Sequence, residues 1–170
     1  METQTIQGNS SEEWDRGPLE ILPIGVIRTP FKSREACPRQ GRPSGAEGEV
    51  ILRRDLLPGL KDVQGCSFLI LLSYFDQADR ARLQTQTPQG SEIRGVFATR
   101  SPNRPNPIGL HIVELIKMEG THLHVRGVDC LDGTPLIDIK PYVADLDSVP
   151  EARGAWHEKT DVIDSGGEKE

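Results

Sequence analysis

The 170-residue chain contains no apolar run near the ~20 residues a membrane-spanning helix needs, which excludes that class of membrane protein. Its first residues show no basic head followed by an apolar core, so no secretory signal is expected there. Cysteine is scarce: Cys37, Cys66 and Cys130 form an odd set without CxxC spacing. That pattern argues against a disulfide framework and for reduced thiols, as in a cytoplasmic protein. No Gly-x-Gly-x-x-Gly and no G-x-x-x-x-G-K-[ST] stretch is present, which removes the doubly wound dinucleotide fold and the P-loop. No Ser/His/Asp order stands out as a nucleophile set. His122 and His124 share one strand face at a spacing metals use, but no third ligand of matching pattern lies nearby, so no metal is expected.

What is present is a chain long enough for one domain with a real core, punctuated by 17 glycines and 13 prolines. Strands are expected over 21–28, 49–54, 67–75, 110–117, 121–128 and 136–139. The continuous apolar run 67–75 predicts a strand buried on both faces. Residues 76–83 predict one or two helical turns capped by Asp76. The Met118-Glu119-Gly120 connection predicts a hairpin, with His122, His124 and Arg126 on one face and Leu123 and Val125 on the other. Many short strands separated by turn residues predict a mainly β fold, a small single-domain barrel of mostly antiparallel strands with long loops and one or two short helices. The barrel is expected to occupy 21–157, between acidic disordered tails at 1–20 and 158–170.

The most informative segment is 95–110, Gly-Val-Phe-Ala-Thr-Arg-Ser-Pro-Asn-Arg-Pro-Asn-Pro-Ile-Gly-Leu. Strand-like runs lead in at 96–98 and out from Leu110. Proline fixes φ and donates no backbone hydrogen bond, so Pro102, Pro105 and Pro107 exclude helix and sheet interior. The result is a stiff loop that keeps Arg100, Arg104, Asn103 and Asn106 aimed at little entropic cost. Three readings fit it: a loop that binds an anionic or strongly polar ligand, a rigid structural connection, and a P-x-x-P docking motif.

Charge is unevenly placed. Residues 1–20 carry five acids against Arg16, and residues 158–170 carry five acids against two lysines, so the body holds a slight positive balance within a net charge of −6. Residues 28–54 hold seven cations against Glu35, Glu47 and Glu49, a local +4. Such a body can face RNA phosphates despite its acidic ends; an ordinary solvated surface explains the same charges.

Residues 95–109 resemble, almost letter for letter, the GVFATRSPxRPNPIG signature of the TsaA-like family, the tRNA methyltransferase O (TrmO) proteins. The run 129–142, Asp-Cys-Leu-Asp-Gly-Thr-Pro-Leu-Ile-Asp-Ile-Lys-Pro-Tyr, is similar to the family's DxxDGTPxxDIKPY, and Pro38-Arg39-Gln40 to its PRQ. The resemblance covers roughly 21–145. It implies a homodimeric β-barrel that uses S-adenosyl-L-methionine to methylate N6 of threonylcarbamoyladenosine in the tRNA anticodon loop, without membrane or metal. It implies cofactor contacts at Gln40, Gly41 and Arg42, at Asp76 and Gln77, at Arg100 and Leu110, and at Arg126, Gly127, Val128 and Asp129. Substrate contacts are expected at Arg104, Asn106, Lys140 and Tyr142. A carbamoylated N6 is a poor nucleophile, so a proton acceptor is expected, with Asp132 and Asp138 (and Asp129) as the candidates; Asp132-Gly133 also reads as a plain turn. The family usually has histidine where Asp76 stands and commonly another at Phe68, and many members continue into a C-terminal extension. Two alternatives stand beside this reading: the same fold acting on a small-molecule acceptor, and a non-catalytic barrel that binds cofactor or RNA.

Overall fold

A computed structural model describes residues 17–86 and 92–154. Residues 1–16 and 155–170, which hold most of both expected tails, lie outside the described residues. Six strands close into an antiparallel barrel: β1 (Gly25–Arg28), β2 (Glu47–Leu52), β3 (Phe68–Tyr74), β6 (Ile108–Glu119), β7 (His122–Arg126) and β8 (Thr134–Pro141). Their order around the barrel is β1-β2-β7-β6-β3-β8, with β8 returning to β1. Closure leaves no unpaired edge. A two-stranded ribbon of β4 (Gln84–Gln86) and β5 (Ile93–Gly95) stands apart. Single helical turns form at α1 (Gly41–Ser44) and α2 (Ala144–Asp147).

The interior is filled by the alternate residues of each strand. Ile27, Val50, Leu69, Leu71, Val113, Leu123, Val125 and Leu136 are all essentially inaccessible to solvent. Each such aliphatic side chain contributes about 1.5–3 kcal/mol on burial. The alternation anticipated for 121–128 holds, with Leu123 and Val125 inside and His122 and Arg126 outside. In β3 the inward residues Leu69, Leu71 and Ser73 are buried, but the outward Phe68, Ile70, Leu72 and Tyr74 are only half-buried. This corrects the expectation of a strand buried on both faces: in one barrel wall, the outer face has no second layer to cover it.

Three further expectations are corrected. Residues 76–83 form turns, not a helix, because their polar groups bond to the proline loop instead: the Asp79 N–H donates to Asn103 Oδ1 and Arg80 Nε to the Pro105 carbonyl. Val96–Ala98 is a single 3-10 turn, not a strand, with the strand ending at Gly95. The first strand begins at Gly25; of residues 21–24 only Ile24 makes backbone bonds among the described residues, its N–H to the Leu136 carbonyl and its carbonyl from the Arg53 N–H.

The antiparallel topology divides the connections between the two ends of the barrel. One end of the barrel receives the β1–β2, β3–β6 and β7–β8 connections, which include residues 29–46, 75–107 and 127–133. The opposite end receives the β2–β3 connection and the tight β6–β7 turn at Gly120.

Candidate cofactor and substrate site at the loop end

Gly127 starts the assembly of the site. It follows β7 directly and takes φ +101°, a left-handed conformation that glycine adopts without a Cβ penalty. The turn is pinned by N–H donation from Gly127 (2.8 Å) and Val128 (3.3 Å) to the Ala46 carbonyl. Val128 and Cys130 then enter the core, so the intervening Asp129 is held at its main chain and presents its side chain at the barrel mouth. Burial pushes the Cys130 thiol up to about 12, which marks it as a packing group.

Asp129 gathers the neighbouring loops. Its Oδ2 accepts the Gly41 N–H at 2.8 Å, and its Oδ1 lies 2.6 Å from His111 Nδ1. The ring continues inward, with Nε2 2.7 Å from the buried Ser73 Oγ. The edge of Phe75 meets the imidazole at a centroid distance of 5.9 Å and an interplanar angle of 90°. Cys37 is close by: partial burial raises its thiol, with Asp129 and Glu35 adding to the effect. Arg34 reaches the Gln77 carbonyl and so ties the β1–β2 loop to residues 76–77.

Of the residues expected to bind cofactor, the fold therefore brings Gln40, Gly41, Arg42, Gly127, Val128 and Asp129 together, and it links Asp76 and Gln77 to the same end through Phe75 and Arg34. Arg100 is exposed, and among the described residues Arg39, Arg42 and Arg100 make no hydrogen bond or ion pair with other side chains or backbone. Arg126 points elsewhere: its guanidinium bridges Glu47 and Glu114 on the outer wall, at 2.9 Å each. Leu110 also faces outward, opposite Leu72.

The expected substrate residues fall into two groups. Arg104 donates to the carbonyls of Ser101, Val96 and Thr99, a grip that holds the proline loop in shape. Asn106 is exposed on the same loop. Lys140 and Tyr142 lie toward the other end of β3, where Lys140 stands opposite Ile70 and the Tyr142 N–H bonds the Phe68 carbonyl.

Besides Asp129, the two other carboxylates considered as proton acceptors also differ. Asp132 is gripped by Lys32 Nζ (2.5 Å), the Thr29 N–H (3.1 Å) and Arg28 Nε (3.2 Å), and the Lys32 bond first of all holds its carboxyl below the usual range. That makes Asp132 a staple between two loops and a weak base. Asp138 sits half-exposed on the outer wall, 2.8 Å from Lys140 Nζ.

Sequence reading alone misses Ser73 and His111, which the structure joins to Asp129 in a hydrogen-bonded chain. The three residues are far apart in the chain: the pairing of β3 with β6 joins Ser73 to His111, and the β7–β8 connection brings Asp129 to them. The available signal was one polar residue at an inward position of each otherwise apolar strand.

The profile of the tRNA-methyltransferase O N-terminal domain matches residues 26–148. The chain belongs to that family. An S-adenosyl-L-methionine-binding protein of Archaeoglobus fulgidus is 45% identical over 134 residues, covering 79% of this chain and 96% of the relative. The tRNA (adenine(37)-N6)-methyltransferase of Escherichia coli K12 is 38% identical over 144 residues, covering 78% of this chain. The crystal structure of TrmO from Pseudomonas aeruginosa superposes with a TM-score of 0.69 at 37% identity over 82% of this chain. The chain spans 61% of the Escherichia coli protein, 62% of the Pseudomonas chain and 38% of a second Archaeoglobus relative. This TrmO-type barrel places the family signature loop and the Asp129 cluster at the same end.

Proposed function

We propose that the barrel binds S-adenosyl-L-methionine at its loop end and N6-methylates threonylcarbamoyladenosine in the anticodon loop of tRNA. One observation carries the reading: the β1–β2 connection at Gly41 and His111 of β6 meet at the Asp129 carboxylate of the β7–β8 connection, close in sequence to Arg39 and Arg42, which make no hydrogen bond or ion pair among the described residues, and on the same end as Arg100. The arrangement suits the cofactor. A guanidinium matches its carboxylate, and the free lone pairs of Asp129 match its ammonium or ribose hydroxyls. Gly41 lies so close to Gly127 that a side chain would fill the gap between them. The names of the Archaeoglobus and Escherichia coli relatives support the same assignment.

When bound, the cofactor supplies an electrophilic methyl group; the protein aligns acceptor and donor and keeps water away. In this reading Arg42 and Arg100 orient the cofactor, and Asp129 fixes it from the barrel mouth. Asp132 locks the loops, and Asp138, paired with Lys140, is the remaining expected carboxylate for the N6 proton. Asn106 and the arginines of the loop end meet the tRNA, whose phosphates require cations. Tyr74, Leu72 and Ile70 pair in register with Ile108, Leu110 and Ile112, making an apolar outer wall on which we place a homodimer contact, to be checked by light scattering.

The deciding experiment supplies the full chain with methyl-labelled S-adenosyl-L-methionine and bulk tRNA, with and without the threonylcarbamoyl modification. Label confined to modified tRNA is expected. Equal label in both pools overturns the acceptor assignment, and no label despite tight cofactor binding overturns the tRNA assignment.

A further inference from the structure

We propose that His111, oriented by Ser73, is a positioning residue that presents Asp129 to S-adenosyl-L-methionine; the inference rests on the cofactor reading given above. The Ser73–His111–Asp129 chain has the connectivity of an acyl-transfer triad, yet Ser73 is fully buried, so no acyl donor reaches its hydroxyl. Its purpose lies at the other end, on the carboxylate.

A carboxylate is acceptor-only, so the bond between His111 and Asp129 is Nδ1–H donating to Oδ1. In the neutral ring Nε2 is then an acceptor, and the Ser73 hydroxyl donates to it. Both ring nitrogens are satisfied, and the imidazole has one orientation. Gly109 makes this possible: a Cβ there would lie 2.4 Å from Ser73 Oγ, 2.5 Å from Phe75 Cζ and 2.9 Å from His111 Nε2. The Phe75 edge closes the remaining side of the ring.

The main chain of Asp129 is already fixed by its buried neighbours Val128 and Cys130. What remains undetermined is the rotation of its side chain, and two donors determine it: His111 on Oδ1 and the Gly41 N–H on Oδ2. Each oxygen keeps a lone pair, and the carboxylate is the one partly exposed member of the chain, 23% open against 2% for the His111 side chain. Its open side therefore faces whatever donor group occupies the mouth. Three polar groups in an apolar barrel cost stability unless fully satisfied, which is a reason to expect a use for them.

The test exploits side-chain length. Asparagine at 111 places its amide nitrogen near the Nδ1 position and keeps a donor to Asp129; glutamine places it near Nε2 and loses that donor. In the full chain, His111→Asn is expected to hold calorimetric S-adenosyl-L-methionine affinity within about threefold. His111→Gln and His111→Phe are expected to weaken it about tenfold or more, the loss that accompanies one hydrogen bond to a charged group. The KM for cofactor rises while the KM for tRNA does not. His111→Phe in an Asp129→Asn background adds no further loss. Equal affinity of the Asn and Gln variants, or additive losses in the double variant, reduces His111 to packing and overturns the proposal; the Asn/Gln pair decides the matter if the Phe variant fails to fold. Absence of cofactor binding by the unmodified chain would instead refute the function proposed above.

Discussion

Replacing Gly41 with alanine tests whether the close approach of α1 to residues 127–129 makes the cofactor site. A Cβ at Gly41 would lie 2.0 Å from the Gly127 carbonyl oxygen, 2.8 Å from its carbon and 3.3 Å from Asp129 Cγ. Ordinary contact needs roughly 3.2–3.5 Å, so the segments separate by about 1.2 Å or more. Gly127 cannot retreat, because its N–H is bonded to Ala46 and Val128 is seated in the core. The exposed turn α1 moves instead. The Gly41 N–H bond to Asp129 Oδ2, now 2.8 Å, opens to about 4 Å, outside hydrogen-bonding range. Losing a hydrogen bond to a charged group costs about 1.5–3 kcal/mol, which corresponds to about tenfold or more in affinity if it falls on the cofactor-competent state. Because the turn relieves most of the overlap, the melting temperature falls by only about 2–8 °C. Gly59→Ala is the control, since nothing lies within 4 Å of its added methyl. Calorimetric titration with S-adenosyl-L-methionine and a thermal melt read the two effects. A Gly41→Ala protein that binds within about twofold of the unmodified chain would refute the argument.

Two further outcomes follow from the same geometry. Arg100→Ala removes an exposed guanidinium with no partner among the described residues, so it should weaken cofactor binding about tenfold or more and leave the melting temperature unchanged; loss of stability instead would show that the arginine holds the loop. Asp132→Asn releases Lys32 and Arg28 and should lower stability by about 1–2 kcal/mol in denaturant titrations near neutral pH. The carboxyl is held below its ordinary value of 3.8, so its contribution is complete above that pH and disappears as pH falls through the lower folded-state value. A difference between the two proteins that persists unchanged to the most acidic pH would refute an electrostatic origin.

The amino-acid sequence by itself determined a good deal. The alternation of Leu123 and Val125 with His122 and Arg126 follows from the two-residue period of a strand, and the prolines at 102, 105 and 107 exclude regular structure from the signature loop. The number of short strands and the turn residues between them pointed to a closed or nearly closed barrel, because a sheet of alternating strands that closes on itself buries its apolar face. Local pattern did not distinguish a helical turn at 76–83 from a segment recruited by Asn103 and Pro105, since the competing hydrogen bonds come from residues over 20 positions away. Nor did it separate arginines that hold the fold, such as Arg104 and Arg126, from those without a partner among the described residues, such as Arg42 and Arg100: a guanidinium's partners depend on which loops share an end of the barrel. The Ser73–His111–Asp129 chain belongs wholly to tertiary structure. Its members lie 38 and 18 residues apart: the register of β3 on β6, with Gly109 leaving room, joins Ser73 to His111, and the turn after β7 brings in Asp129.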